Sequence, residues 1–188
     1  KVVKERQKLR DELGVNNETF LVLSVGRLHK QKGYDLLIEV ANKIREKEIM
    51  FVVVGDGEEK DKLIKKVKDY KLESCVKFVG YKENVYDYIN ACDLFLLTSY
   101  WEGSPNVVLE AMCLNKPIIT TEVSGVKELL RLDGSKSVND FNGHIVPLYK
   151  QKDKIINELV DKIIKFYNKK QELRNSKYQI KYIEKYLP

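Results

Sequence analysis

The feature that most constrains this chain is a regular alternation of short apolar segments with segments of helical periodicity. The apolar segments are rich in Val, Ile and Phe and are bounded by Gly, Asp or Ser, which is typical of strands buried on both faces. They fall at Phe20–Val25, Met50–Val54, Val76–Val79, Leu94–Thr98, Pro117–Thr121 and Gly143–Val146. Six buried strands are therefore expected.

Between these segments the apolar residues recur at helical spacing. The predicted helices lie around Asp35–Ile44, Leu63–Val67, Asn84–Cys92, Asn106–Leu114 and Val126–Arg131. A strand–helix alternation sustained over this length predicts a doubly wound α/β fold. We expect a Rossmann-like, six-stranded, mostly parallel sheet with helices on both faces.

The alternation of strands and helices stops after Pro147, which predicts that the chain continues as helices only. One long amphipathic helix is predicted from Ile155 to Tyr167, and a last helix from about Glu172 to Leu187. We expect one domain over residues 1–168, followed by a C-terminal helix within 169–188. A chain of 188 residues is long enough to bury a core without disulfides or metals.

Composition excludes several classes of protein. The hydrophobic fraction of 43% is too high and too evenly spread for a disordered chain. No apolar run approaches the ~20 residues that span a bilayer, and the charged segment Lys1–Asn17 does not resemble a signal peptide. The three cysteines lack metal-binding spacing and there are only two histidines, so neither a disulfide framework nor a metal site is expected.

In a parallel sheet, ligands bind beyond the carboxyl ends of the strands, and three unusual segments fall there. The first runs from Ser24 to Gly33 and follows the first strand. Gly26 permits a tight turn, and Gly33 lets the next helix start close to a ligand. Arg27 and Lys32 place two cations beside a helix N-terminus, which predicts a phosphate site, although a solvated basic loop is an equally good interpretation of this segment alone.

The second segment is the turn Gly55-Asp56-Gly57 after the second strand. Such a turn lets backbone approach a ligand closely. It is not a dinucleotide-binding fingerprint, because Lys60 stands where a third glycine is required. From local sequence, a turn without a binding role is the favoured interpretation.

The third segment, Ser99–Met112, follows the fourth strand and opens a helix. Ser104 is predicted as the N-cap and Pro105 as the first helical residue. Gly103 and the free amides after it form a corner that accepts anions.

Two glutamates accompany this corner. Glu102 precedes the helix, where it either receives hydroxyl groups of a ligand or stabilises the helix dipole. Glu110 lies on an otherwise apolar helix, and a carboxylate in that position needs a partner or a ligand.

Taken together, these segments resemble the C-terminal, nucleotide-sugar-binding domain of retaining family 4 glycosyltransferases of the GT-B fold (glycosyl transferases group 1). The resemblance runs from about Thr19 to Leu148. Glu102 and Glu110, with seven residues between them, are similar to the paired glutamates of that family. Residues 124–128 and 142–146 resemble its closing elements.

The resemblance implies a role for each of these side chains. Arg27 and Lys32 would hold the donor's diphosphate and stabilise the negative charge that develops as it leaves. Glu102 would contact hydroxyls of the transferred sugar, and Glu110 those of the ribose. Further donor-binding residues implied by the resemblance are Gly26, Gly33, Gly55, Asp56, Gly57, Tyr81, Gly103, Ser104, Pro105, Asn106 and Val107. No cofactor or metal is expected, which agrees with the absence of an Asp-x-Asp motif.

The implied reaction is transfer of a sugar, with retention of configuration, from a nucleotide-sugar to a glycan or lipid-linked acceptor. A UDP-sugar donor, bacterial surface polysaccharide synthesis and a cytoplasmic location, peripheral on the inner face of the membrane, are favoured. The family pairs this domain with an N-terminal acceptor domain, and nothing in this chain corresponds to it. We therefore expect a fragment that binds donor but transfers little sugar alone.

The formal charge of +6 is concentrated at one end of the chain. Residues 1–149 carry 23 basic and 23 acidic residues, whereas residues 150–188 carry 11 and 5. The last predicted helix has a basic stripe flanked by Tyr178, Tyr182 and Tyr186, and its members are Lys170, Arg174, Lys177, Lys181 and Lys185. A solvated face, an interface with the acceptor domain and contact with an anionic membrane all remain open.

Two other functional classes remain open. A nucleic-acid-binding module would need a basic face with exposed aromatic residues, and steeply salt-dependent retention on DNA or RNA would reveal it. No nucleic-acid partner is expected, because the basic excess lies outside the predicted pocket. A sugar-nucleotide epimerase of the same fold is favoured only by analogy of fold, and the spacing of Glu102 and Glu110 argues against it.

Overall fold

Six parallel strands form a single sheet in the computed structural model, which describes residues 2–130 and 143–170. The strands are β1 (Phe20–Val25), β2 (Ile49–Val54), β3 (Val76–Phe78), β4 (Leu94–Leu97), β5 (Ile118–Thr121) and β6 (Gly143–Val146). Their order is β3-β2-β1-β4-β5-β6, and all adjacent strands are parallel. The predicted Rossmann-like α/β fold is confirmed, and the described sheet is entirely rather than mostly parallel.

Helices cover both faces of this sheet. They are α1 (Val2–Glu12), α2 (Tyr34–Lys43), α3 (Lys60–Asp69), α4 (Val85–Ala91), α5 (Asn106–Cys113), α6 (Val126–Leu129) and α7 (Lys152–Asn168). Buried side chains of α2, α3 and α7 pack in one core cluster, and those of α1, α4, α5 and α6 in another. None of these helices is long and apolar enough to cross a membrane.

Strand β2 shows why the apolar segments are uninterrupted. All six of its residues are buried, and successive side chains point to opposite faces of the sheet. Phe51 and Val53 join the cluster under α2, α3 and α7, whereas Met50 and Val52 join the other. Burial of one such side chain contributes about 1.5–3 kcal/mol, so a polar residue at any of these positions would weaken one of the two cores.

The amino ends of the strands are fastened by one carboxylate. Asp93 accepts hydrogen bonds from the Leu21 amide at 2.8 Å, from Arg6 at 2.6 Å and from Arg10 at 3.2 Å. Arg10 is only 1% exposed and also donates to the Thr19 carbonyl at 2.6 Å. Burying its charge is tolerated because carboxylate and carbonyl oxygens surround it. Helix α1 is thereby attached to the amino ends of β1 and β4, at the end of the sheet opposite the expected site.

The order of the strands reverses between β1 and β4, and this places the site. From β1 the chain runs outward through β2 to β3, then returns to β4 on the other side of β1. The loops after β1 and β4 therefore diverge to opposite faces and leave a crevice between them. The predicted C-terminal helix and its basic positions Arg174, Lys177, Lys181 and Lys185 lie outside the described residues.

Candidate functional site

The loops that follow β1 and β4 are tied to each other at this crevice. The Thr98 hydroxyl donates to the Lys32 carbonyl at 3.0 Å, and the Tyr100 amide donates to the Gln31 carbonyl at 2.8 Å. Gly33 has φ +60°, and a Cβ there would lie 2.1 Å from the Thr98 carbonyl oxygen. Only glycine fits this close approach, which is to the backbone after β4, and a role of Gly33 in binding a ligand stays a prediction.

Lys32 and Glu102 form an ion pair between the two loops. The Lys32 ammonium lies 2.7 Å from Glu102 Oε1, and their side chains are only 17% and 6% exposed. Ser99 Oγ donates to the same oxygen at 2.5 Å, and Gln31 Nε2 lies 3.4 Å from Oε2. A carboxylate so enclosed keeps its charge because donors surround it. No local sequence pattern singles out Ser99, three positions from Glu102, or Gln31, 71 positions from it, as a partner of this carboxylate.

Gly26 makes room for Lys32. A Cβ at Gly26 would lie 3.1 Å from Lys32 Cε and 3.1 Å from the Tyr34 hydroxyl, so the lysine side chain passes directly over this glycine. The Tyr34 hydroxyl donates to the Gly26 carbonyl at 3.0 Å. Burial raises the pKa of Tyr34 well above its ordinary value, so the hydroxyl stays protonated and remains a donor.

Arg27 occupies a more open position than Lys32. Its side chain is 72% exposed, and its guanidinium lies 3.2 Å from Glu58 Oε2. The two predicted phosphate-binding cations are thus paired with different carboxylates and are not in contact with each other. Exposed ion pairs contribute about 0–1 kcal/mol, so Arg27 can exchange Glu58 for another anion at little cost.

The Gly55-Asp56-Gly57 turn packs against the loop after β1. A Cβ at Gly55 would lie 1.9 Å from the Gly26 carbonyl oxygen, and one at Gly57 would lie 2.5 Å from the Leu28 carbonyl oxygen. Asp56 accepts a hydrogen bond from the Gly57 amide at 2.8 Å. The two glycines are needed for close packing of backbone on backbone, which agrees with the interpretation of this segment as a turn.

Helix α5 begins one residue later than predicted. Pro105, with ψ 72°, is the N-cap, and the helix starts at Asn106. The prediction that Ser104 caps the helix is wrong, because the Ser104 hydroxyl lies 3.3 Å from Asn106 Oδ1 instead of bonding a free amide. Within residues 2–130 and 143–170, no hydrogen bond uses the amides of Gly103, Ser104 or Val107. Backbone amides are therefore available at this corner, and the prediction that they accept an anion stays a prediction.

Glu110 lies in the middle of α5, and among the described residues it has no polar partner. It is half-buried, between the fully buried Val108 on one side and Ala111 on the other. In the described part of the chain no side chain donates a hydrogen bond to its carboxylate, and no contact joins it to Glu102. A half-buried, unpartnered carboxylate is suited to receiving the hydroxyl groups of a ligand.

Tyr81 lies on the loop after β3, next to the β2 turn. The Gly55 amide donates to the Gly80 carbonyl at 2.9 Å, which brings the two loops together. Tyr81 is 72% exposed, so the face of its ring is open to a flat ligand. In the described parts of the chain, no three His, Cys, Asp or Glu side chains are grouped so that they could hold a metal ion.

Comparisons with known proteins agree with the fold. The family described as "Glycosyl transferases group 1" has a sequence model that matches residues 5–182. An Escherichia coli relative, UDP-Gal:alpha-D-GlcNAc-diphosphoundecaprenol alpha-1,3-galactosyltransferase, is 31% identical over 166 residues, 84% of this chain and 41% of that protein. A Campylobacter jejuni relative, N-acetylgalactosamine-N,N'-diacetylbacillosaminyl-diphospho-undecaprenol 4-alpha-N-acetylgalactosaminyltransferase, is 32% identical over 124 residues, 65% of this chain and 33% of that protein.

Among solved structures, Anabaena HepE in complex with UDP and glucose is similar over 90% of this chain and 47% of that one. The TM-score is 0.70 and the sequence identity is 26%. The chain therefore spans less than half the length of each of these three proteins.

Proposed function

Since the chain belongs to the glycosyl transferases group 1 family, we propose that it forms the donor-binding half of a retaining glycosyltransferase. The donor is a nucleotide-sugar, and a UDP-sugar is favoured. The observation that carries the proposal is the pairing of Lys32 with Glu102 at the reversal of strand order, beside the unused amides of Gly103 and Ser104. Cation, carboxylate and free amides are the groups that a sugar diphosphate requires.

Binding and departure of the diphosphate involve the cations and amides. The Lys32 ammonium has three N–H donors, and its contact with Glu102 uses one of them. The remaining donors, together with the amides at the start of α5, can bind phosphate oxygens, and the positive end of the helix favours the anion. Arg27 joins them after leaving Glu58. These groups stabilise the charge on the leaving diphosphate, so the proposed reaction proceeds without a metal ion or cofactor.

The carboxylates and Tyr81 bind the rest of the donor. Glu102 is fixed by three neighbouring side chains but keeps free lone pairs, because a carboxylate has about four acceptor positions. It accepts hydrogen bonds from hydroxyls of the transferred sugar. Glu110 accepts them from the ribose, and Tyr81 stacks on the base. Fixing the acceptor oxygens before the donor binds reduces the ordering that the reaction requires.

The names of the relatives support the proposed donor and acceptor classes. The E. coli relative is named for UDP-Gal and a diphosphoundecaprenol-linked sugar, the C. jejuni relative for a diphospho-undecaprenol-linked acceptor, and the HepE structure contains UDP. We propose a lipid-linked or glycan acceptor, bound by a second domain, and a role in bacterial surface polysaccharide synthesis. The whole enzyme would act at the cytoplasmic face of the membrane.

Calorimetric titration with UDP, GDP and ADP, without divalent cations, tests the donor site. UDP should bind most tightly. Arg27→Ala and Glu110→Ala should each weaken binding about tenfold, which corresponds to ~1.4 kcal/mol. Lys65→Met is the matched control, because Lys65 is 74% exposed and pairs with Asp69 on α3.

The site assignment fails if none of the three nucleotides binds, or if both variants bind UDP as the wild type does. Retention is tested separately on the full-length enzyme, by NMR assignment of the anomeric configuration of the product. A product of inverted configuration would contradict the proposed mechanism and leave the donor site intact.

A further inference from the structure

A second cleft, of about 500 Å³, lies beside the donor crevice. Its walls come from the start of α2, the first two turns of α3 and the segment Tyr100–Trp101. The volume is within the ~300–1,000 Å³ of small-molecule sites. No lining residue is among those predicted to bind the donor, so a ligand of this cleft would be distinct from the donor.

The charged groups in this cleft are largely compensated by neighbours. Asp35 lies 2.6 Å from the Lys152 ammonium, and Glu59 lies 2.8 Å from the ammonium of Lys62. Lys66 lies 2.7 Å from Glu39. With Lys30, which also lines the cleft, the walls offer many hydrogen-bonding groups and only a small net positive charge, which is compatible with a neutral polar ligand.

One wall of the cleft is an open aromatic ring. Trp101 is 55% exposed, and with Leu63 it gives the cleft apolar surface. Across from it, Asp35 accepts a hydrogen bond from the Tyr100 hydroxyl at 3.0 Å, which fixes the carboxylate. A pyranose ring has an apolar C–H face and an edge of hydroxyl groups. An exposed indole beside fixed carboxylates matches both surfaces.

We propose that this cleft binds a neutral glycosyl unit, which stacks on Trp101 and donates hydroxyl hydrogen bonds to Asp35 and Glu59. The proposal rests on the proposed transferase function in one respect, since it assigns the unit to the part of the acceptor glycan that extends from the second domain to this cleft. The reason is position: Trp101 directly precedes Glu102, so a sugar on Trp101 lies next to the reacting donor.

A side chain connects the cleft to the donor crevice. Gln31 Nε2 donates to the Trp101 carbonyl at 2.9 Å and lies 3.4 Å from Glu102 Oε2. Gln31 therefore contacts both the backbone that carries the indole and the carboxylate that faces the donor. Occupation of the cleft restrains Glu102 as well as Trp101.

The fluorescence of Trp101 can report binding in the cleft directly, because Trp101 is the only tryptophan in the chain. The wild type is titrated with methyl α-galactoside and methyl α-N-acetylglucosaminide, with glucuronate as the anionic comparison. Either neutral glycoside should change the fluorescence of Trp101 saturably, in the presence and absence of excess UDP. Asp35→Ala and Glu59→Gln should each weaken this binding at least fivefold, whereas the control Asp69→Ala, on the exposed surface of α3, should not.

The cleft assignment is overturned if neither glycoside gives a saturable change, if glucuronate gives the stronger response, or if both folded cleft variants titrate as the wild type. Circular dichroism identifies any variant that does not fold. UDP calorimetry separates the two proposals. If UDP binds and the glycosides do not, the cleft proposal fails alone; if the glycosides bind and UDP does not, the donor proposal fails and the cleft is a carbohydrate site of another kind.

Discussion

Lys32 Nζ lies 2.7 Å from Glu102 Oε1, although 70 positions separate the two residues in the chain. The contact closes the crevice between β1 and β4 with one positive and one negative side chain, both largely shielded from water. A diphosphate that approaches Lys32 therefore approaches Glu102 as well. In the proposed donor complex, the phosphates would lie toward the cation and the sugar hydroxyls toward the carboxylate.

Lys32→Met should weaken both UDP binding and the fold. It leaves a carboxylate that is only 6% exposed without its counter-ion. Removing one partner of an ion pair costs about 1 kcal/mol at an exposed site and about 3–5 kcal/mol at a fully buried one. This pair is intermediate, so we expect the free energy of unfolding to fall by about 2 kcal/mol. Urea denaturation measures it.

The control for this prediction is Lys65→Met on α3. Lys65 and Asp69 are paired at 2.6 Å, but their side chains are 74% and 54% exposed. The expected change is under about 0.5 kcal/mol. Equal effects of the two substitutions would show that the Lys32–Glu102 contact contributes no more than a surface ion pair.

Gly33→Ala and Gly80→Ala should differ strongly, although both glycines have positive φ. Gly33 has φ +60° and no room for a Cβ, whereas Gly80 has φ +75° and nothing within 4 Å of the built Cβ. Gly80→Ala should destabilise by about 1 kcal/mol, the cost of the left-handed conformation. Gly33→Ala adds the collision with Thr98, for a total of about 3 kcal/mol or more. Similar unfolding midpoints for the two variants would contradict the close approach of the loops.

His144 should make the fold less stable as the solution is acidified through pH 6.5. Burial, and then the charges of Lys162 and Lys165, lower the pKa of His144 below its ordinary value of 6.5. Below pH 6.5 the unfolded chain therefore binds a proton that the folded chain does not, and stability falls with pH. Urea unfolding at pH 7.5 and 5.5 should show a smaller loss in His144→Gln than in the wild type. An unchanged loss would assign the pH dependence to other groups.

Only one cysteine should react rapidly with a thiol reagent. Cys113 is exposed, whereas Cys75 and Cys92 are buried. Burial raises the pKa of Cys92 to about 11 and also raises the pKa of Cys75, so both remain thiols at pH 8. We expect one equivalent to react quickly and two more only after denaturation. Cys113→Ser should remove the fast phase; a fast phase that survives would show that the segment around Cys75 or Cys92 opens readily.

The sequence predicts the sheet well because buried parallel strands are uninterrupted apolar runs with clear boundaries. The bounds of β1 and β6 agree with the structure to the residue, and those of β2 to β5 to within one residue at each end. The start of α5 differs by one position, because Pro105 keeps a non-helical ψ. Local preference alone does not distinguish the N-cap from its neighbour.

The contacts that build the site could not be read from the sequence. Gln31 reaches Glu102 only because two loops meet across the sheet, and Ser99 reaches it only through the conformation of the loop that both residues share. Arg10 is buried only because Asp93 and several carbonyl groups surround it. Such contacts depend on the packed fold and not on spacing along the chain. The family resemblance identified Arg27, Lys32 and Glu110 from the sequence, and the structure supplied the partners of Arg27 and Lys32.

The attachment of α1 to Asp93 has a consequence for redesign. The groups that fasten the sheet lie at the amino ends of its strands, and the groups proposed to bind ligands lie at the carboxyl ends. Substitutions in one set therefore leave the other set's contacts intact, and their effects on stability should be nearly additive. The loops after β3 and β4 can be exchanged for those of other family members while the amino end of the sheet, held by α1 and Asp93, is kept unchanged as a scaffold.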